Sequence, residues 1–338
     1  MPAMPLVSVI IINYNNAKYL AACINSIRAQ TFKNLEILLI DNSSTDSSWE
    51  IANEIAAGDS RIKCHQVKHG GGVGAVRNYG MDIAAGDFIM FMDSDDLMVP
   101  TAIEAMTTIQ NALDCSLVVG SYAKVPESFF IPDNATFPPA YFMFDYCVGA
   151  DRLVKKLEAL NMVLVWGKLI HRDLLTDLRF MENVHPHEDT AFMLRLYARV
   201  ETSAIGHGLT NYYRQSANSV TLQKERDSSN DIVRSFNDTV EFVGEYSANP
   251  EYREFVRNFS FGFLRAEIKK MADKIADHPG REWMNYRARY YAQLKKLVHS
   301  ARAAYRLGHF QKLSANKRER FGLWLFARGF IRAAVKYL

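Results

Sequence analysis

The first 125 residues alternate between two hydrophobic periods, and that alternation restricts the fold more than any other property of the chain. Val7-Ser8-Val9-Ile10-Ile11-Ile12 is a continuous β-branched run, ended by Asn13-Tyr14-Asn15-Asn16. Leu20, Ile24 and Ile27 then recur at helical spacing. A second strand pattern, Leu35 to Ile40, closes on the polar loop Asp41-Asn42-Ser43-Ser44-Thr45-Asp46. A helix carrying Trp49, Ile51 and Ile55 stops near Gly58, and Ile62 to Val67 reads as a third strand. A Gly-rich stretch opens another helix to Ala85, which Gly86 terminates. An Asp87–Met92 strand, a Pro100–Leu113 helix and a strand through Leu117-Val118-Val119 complete the series. Strands alternating with helices of this length predict an α/β fold: a mostly parallel sheet with right-handed crossovers, flanked by helices.

The apolar run Phe88-Ile89-Met90-Phe91-Met92 stops abruptly at Asp93-Ser94-Asp95-Asp96. Three acids in four residues repel one another unless positive charge sits among them. Carboxylate oxygens are hard ligands that suit Mg²⁺ or Mn²⁺, ions that bridge protein to phosphate. The open ends of parallel strands are also where α/β proteins place ligands. The plain alternative is a polar loop in which Asp95 or Asp96 caps a helix opened by Pro100. In such a sheet Asn13 and Asn15, Asp41 and Asn42, and Asp93 and Asp95 face one crevice. A base and ribose suit the first two loops and a metal-bound diphosphate the third. Asp41 and Asn42 equally suit an Asx-turn, and both readings can hold at once.

Gly70-Gly71-Gly72-Val73-Gly74-Ala75-Val76-Arg77 follows a strand and opens a helix, as a dinucleotide fingerprint requires. Arg77 stands where a small residue belongs, and the loop is the third of the sheet rather than the first. A helix N-terminus beside Arg77 still attracts phosphate.

With 49% hydrophobic residues and no low-complexity segment, the chain is folded rather than disordered. Cys23, Cys64, Cys115 and Cys147 form no CxxC pair, which predicts reduced thiols in a cytosolic protein. Val7 to Ile12 is too short for a signal-peptide core, and no apolar stretch has the length of a membrane span. The net charge of +3 conceals an asymmetry: residues 281–338 carry +12 and the first 280 carry −9. A basic tail on an acidic body suits an anionic surface. From Phe321, Leu323, Phe326, Phe330, Ala333 and Tyr337 form one helical stripe, with Arg328, Arg332 and Lys336 on another face and Lys317, Arg318 and Arg320 before them. Such a helix lies in a membrane interface, docks on the protein's own core, or meets a second subunit. Nothing resembles a nucleic-acid-binding module.

Val7 to Asn15, Ile40 to Asp46, Ala75-Val76-Arg77-Asn78 and Gly86 to Asp96 stand in the order and spacing of one known family. Together they resemble the family 2 glycosyltransferases, closely over 7–125 and loosely to about residue 220. The resemblance implies a GT-A fold, Rossmann-like, with a donor-binding domain over 1–125, an acceptor-side part over 126–222 and a helical C-terminal extension over 223–338. It implies inverting transfer from a nucleoside diphosphate sugar, a UDP-sugar foremost, to a glycan or lipid-linked acceptor. Asn13 and Tyr14 then border the nucleoside, Asp41 hydrogen-bonds the base, and Arg77 and Asn78 line the donor site; Asn15 and Asn42, on the same loops, are further donor-binding candidates. Asp93 and Asp95, around Ser94, match the DxD pair that holds Mg²⁺ or Mn²⁺, with Asp96 behind them. Ile12, Asn13 and Asn42-Ser43 depart from the usual Pro, Thr and Asp-Gly.

Inversion also needs a general base for the acceptor hydroxyl. His187-Glu188-Asp189-Thr190 fits the family's Glu-Asp pair at a helix start, with Asp189 as base and Glu188 as its alternate. Acids in a first helical turn also simply favour the helix dipole. Trp166 and Lys168, in Val165-Trp166-Gly167-Lys168-Leu169, are acceptor-side candidates: the indole stacks on a sugar or is a buried structural Trp. Phe129, Phe130, Phe137, Tyr141, Phe142, Phe144 and Tyr146 mark an irregular excursion that lines an acceptor site or packs a subdomain. His185 and His187 read as loop residues near the base. If the basic helix lies on a membrane, the enzyme works peripherally at the cytoplasmic face of the cell membrane on a lipid-linked acceptor; a homo-oligomer is the expectation if that helix meets a second subunit. A nicotinamide-dependent oxidoreductase using Gly70–Arg77 and a catalytically silent membrane-associated scaffold are the readings from other classes.

Overall fold

The computed structural model describes residues 4–68, 72–132, 135, 143–157, 159–184, 187–215, 229–260 and 262. Gly70, Gly71, Phe137, Tyr141, Phe142, His185 and the basic segment 317–338 lie outside them. The chain divides into two units, Met1–Lys224 and Glu225–Leu338.

The first unit is built on one sheet. Strands β1 (Val7–Asn13), β2 (Leu35–Asp41), β3 (Ile62–Gln66) and β4 (Phe88–Asp93) run parallel in the order β3-β2-β1-β4. Helices α1 (Ala17–Arg28), α2 (Ser48–Ala57) and α3 (Gly72–Ile83) make the crossovers. Every residue of β1 and β2 is buried, as continuous apolar runs covered on both faces must be. Leu20, Ile24 and Ile27 of α1 join Val9, Ile11, Ile37 and Met90 in one core cluster.

Beyond β4 the sheet changes character. After the acid cluster come β5 (Leu97–Met98), α4 (Ala102–Leu113), β6 (Leu117–Pro126), β7 (Phe144–Val148), α5 (Ala150–Lys156), α6 (Ala159–Val163), β8 (Lys168–His171), α7 (Glu188–Tyr197) and β9 (Thr202–Gln215). The order continues β4-β8-β6-β9-β5, with β7 also on β9. Here β8 is antiparallel to β4 and β6, β9 is parallel to β6, and β5 and β7 are antiparallel to β9. The expectation of a mostly parallel sheet therefore holds for the first four strands, and the rest is mixed. The capping alternative for the acids fails: α4 begins at Ala102 behind Thr101, after β5, so neither Asp95 nor Asp96 caps it.

The second unit contributes α8 (Ser229–Tyr246) and a helix over 250–260, with Phe236, Val243, Tyr252 and Val256 buried. The four cysteines are unpaired, and all but Cys64 are buried. No helix of the described residues is long and apolar enough to cross a membrane.

Candidate functional site

Parallel register sets Asn13 beside Asp41 and Ile12 beside Asp93, so the loops after β1, β2 and β4 open along one edge. Asn13 and Asp41 are buried there, and Asn13 Nδ2 donates to Asp41 Oδ1 at 2.7 Å. Since a carboxylate requires the N–H side of the amide, Asn13 Oδ1 is the atom left over, buried and without a partner. An unpaired buried acceptor costs free energy that a ligand N–H would recover. Asp41 also accepts the Ser44 N–H (2.9 Å), the Ser44 hydroxyl and Gln66 Nε2 (3.2 Å), the Asx-type turn and the crevice position together. The Asn42 N–H donates to the Asn13 carbonyl at 2.9 Å, and Tyr14 stands 60% exposed. Asn15, in the left-handed region at φ 49°, accepts the Thr45 N–H at 2.7 Å and so folds the first loop onto the second. Asn16 Nδ2 donates to Ser94 Oγ at 2.9 Å, joining the first loop to the acid cluster.

The three acids of that cluster differ. Asp93 is partly exposed, Asp95 half-buried and Asp96 fully buried. Burial, and then the charge of Asp93, pushes the Asp95 carboxyl up to about 6. Asp96 is pushed well above the usual range by burial and by Asp95 and Asp93, and its Oδ1 accepts the Arg214 N–H at 2.8 Å. Asp96 thus ties the loop to β9, and Asp93 and Asp95 are the pair with oxygens to offer. Among the described residues no group of three or more His, Cys, Asp and Glu forms a metal cage. Two neighbouring hard carboxylates fit Mg²⁺ or Mn²⁺, which take one or two protein carboxylates and fill the remaining positions with phosphate and water.

Arg77 joins this edge to α7. It is buried on α3, with Nη1 donating to Glu188 Oε1 at 3.0 Å and Nη2 to Asp93 Oδ1 at 3.4 Å, and its guanidinium lies 5.3 Å from the Phe180 ring centroid. The flanking charges of Asp93, Glu188 and Asp189 hold its pKa up against burial. Glu188 is buried in that ion pair, whereas Asp189 is half-buried, with Oδ1 on the Thr190 N–H at 2.6 Å. Burial, and then the charge of Glu188, pushes the Asp189 carboxyl up to about 6, against the pull of Arg77. His187 occupies the N-cap position of α7 in a left-handed conformation.

Several predicted residues have structural partners instead of an open face. The Asn78 amide is committed to the Phe180 backbone, accepting its N–H at 2.8 Å and donating to its carbonyl at 3.0 Å. A Cβ on Gly74 would stand 2.7 Å from the Met181 carbonyl oxygen, so this glycine allows α3 to pack against the segment leading to α7. Trp166 is 2% exposed, edge-on to Tyr122 and tilted against Tyr213. Lys168 is fully buried, and its ammonium donates to the carbonyls of Asn161 (2.8 Å), Leu164 and Trp166 (3.4 Å). Burial pushes its pKa down to about 7, with Asp189 opposing. The structure therefore gives both side chains the buried, structural surroundings that were the alternative for Trp166.

Two features escaped the sequence reading. Arg77 bridges two site acids rather than facing the crevice alone, and Arg214 near the end of β9 contacts the acid loop. An arginine inside the aromatic run Tyr212-Tyr213-Arg214 was the available signal for the second.

Comparison with known proteins adds an independent line. The description "Glycosyl transferase family 2" matches residues 8–146. The glycosyltransferase GlyG of Streptococcus pneumoniae is 30% identical over 247 residues, 68% of this chain and 78% of that one. WfaP of Escherichia coli, named a UDP-Glc:alpha-D-GlcNAc-diphosphoundecaprenol beta-1,3-glucosyltransferase, is 37% identical over 149 residues, 43% of this chain and 57% of its own. The crystal structure of Staphylococcus aureus TarS 1–349 in complex with UDP-GlcNAc shares the fold at TM-score 0.74 and 17% identity, over 98% of this chain and 90% of that one. The shared fold, the relatives and the acids gathered at one sheet edge lead to the same place: this chain belongs to glycosyl transferase family 2 and is a glycosyltransferase.

Proposed function

We propose that the protein transfers a hexosyl or N-acetylhexosaminyl group from a UDP-sugar, with inversion, to a hydroxyl of a glycan or lipid-linked acceptor in cell-surface polysaccharide biosynthesis. The observation that carries the reading is the convergence of Asn13 and Asp41, Asp93 and Asp95, and Glu188 and Asp189, with Arg77 spanning the last two pairs. The name of the WfaP relative supports a UDP-sugar and a lipid-linked acceptor.

Asn13 Oδ1 accepts an N–H of the base, while Asp41 holds the Asn13 amide in register. Asp93 and Asp95 would hold Mg²⁺ or Mn²⁺, which would supply Lewis acidity toward a diphosphate leaving group. Asp189 takes the acceptor hydroxyl proton as that oxygen attacks the anomeric carbon from the face opposite the diphosphate. One C–O bond forms, the bond to diphosphate breaks, and the configuration inverts. Glu188, ion-paired with Arg77, keeps a negative charge beside Asp189 and so favours its protonated product state. The basic segment 317–338 holds the enzyme on the anionic cytoplasmic face of the membrane, where a lipid-linked acceptor resides.

The test is transfer from a panel of UDP-sugars with Mn²⁺. The wild-type chain turns over one of them and Asp95→Ala turns over none. Unchanged turnover in that variant, or full activity in excess chelator, removes the metal-and-donor assignment.

A further inference from the structure

Arg214 is 4% exposed and touches three separate segments of the chain. Its Nε donates to the Asp95 carbonyl at 2.8 Å, and its backbone N–H to Asp96 Oδ1 at 2.8 Å. Its Nη1 donates to the carbonyls of Glu127 and Phe129, the latter at 2.7 Å. The guanidinium lies 5.0 Å from the ring centroid of Tyr19 on α1. The same three segments are joined again around it. The Glu127 carboxylate accepts the Tyr19 hydroxyl and the Lys18 ammonium, and the Phe129 ring packs on Tyr212 at 4.7 Å. β5, directly after the acids, pairs with Asn211 and Tyr212.

One rigid fork thus spans the loop bearing Asp93 and Asp95 and the start of the acceptor-side excursion at residues 127–129. A lysine could not do this, because a single ammonium lacks the planar spread of donors. We propose that Arg214 is a positioning residue that fixes the acid loop and the 127–129 segment as one unit, so that nucleotide binding and acceptor-side order rise and fall together. The inference rests on the donor reading above for the loop's role, and on geometry alone for the coupling.

The experiment has two readouts on the full-length chain. Mn²⁺ binding with UDP present, followed by electron paramagnetic resonance, should weaken about tenfold in Arg214→Met, given the strength of hydrogen bonds made by charged groups. Arg214→Lys should recover little of it. Amide exchange should rise in Arg214→Met at residues 95–98 and 127–130 together, and not in β1 to β3. Tyr19→Leu, which keeps the arginine and removes the ring beside it, should move both readouts the same way by a smaller factor. Wild-type affinity in Arg214→Met, full recovery in Arg214→Lys, or exchange that rises in only one of the two segments or evenly across the unit would each overturn the coupling. Failure of the wild-type chain to bind Mn²⁺ with UDP would overturn the donor reading instead, and the exchange pattern would still decide for or against the coupling.

Discussion

Glu188 and Asp189 are adjacent carboxylates with different freedom. Glu188 is spent on a buried arginine, while Asp189 stays half-buried outside that pair. On the proposed mechanism Asp189→Asn lowers kcat by ~10²–10⁴-fold while nucleotide binding survives. A sugar product of retained configuration would refute the single displacement. The base must be ionised to act, so kcat/KM of the wild type should fall as pH drops through about 6. Glu188→Gln removes the neighbouring charge that raises Asp189, so its acid limb should shift to lower pH, read from the same profile. The places of Asn13, Asp41 and Asp93 were legible in the sequence because each ends a strand pattern, and strand ends are fixed by local pattern; Asp95 follows from its place two residues beyond Asp93. The bridging role of Arg77 was not legible, because Glu188 lies 111 residues away and nothing local encodes that meeting. The surroundings of Lys168 were not legible either. This lysine was an acceptor-side candidate through the segment Val165–Leu169, and nothing local encodes the backbone carbonyls that surround its ammonium.

At the scale of elements, that lysine organises the approach to β8. One ammonium gathers three carbonyls from the end of α6 and the segment after it, and the Tyr197 hydroxyl of α7 donates to a fourth, of Met162, at 2.9 Å. Lys168→Met keeps the volume and removes a costly buried charge, but strands three acceptors. Unsatisfied buried groups cost about 1–3 kcal/mol each, so the loss outweighs the relief and about 3 kcal/mol of stability should disappear. Urea unfolding at constant m-value measures it, and an unchanged midpoint would mean that water replaces the ammonium. Strands β1, β2 and β4 could be read from sequence because both of their faces are covered and their residues are buried almost throughout. By contrast, β3 buries only Ile62 fully and was marked by its place in the strand–helix alternation. The direction of β8 could not be read. Four residues, Lys168–His171, carry no mark that separates parallel from antiparallel pairing, and the connections decide it.

For the molecule as a whole, the opposing charges of body and tail make the membrane proposal open to a direct test. Replacing Arg328, Arg332 and Lys336 with Gln should weaken sedimentation with anionic vesicles roughly 100-fold, at about 1 kcal/mol per basic residue near an anionic leaflet. Neutral vesicles should not distinguish the two proteins. Equal binding to anionic vesicles would assign the tail to packing. β9 has a further consequence on this scale. It pairs with β5, β6 and β7, carries a bulge opposite Ser121, and delivers Arg214 as its penultimate residue. Side chains alternate faces along a strand, so one residue inserted or deleted between the bulge and Gln215 would turn the guanidinium to the opposite face. Sequence drift in this strand is therefore free to exchange one apolar residue for another. Length change is not available to it, and insertions in descendants of this chain have to accumulate elsewhere.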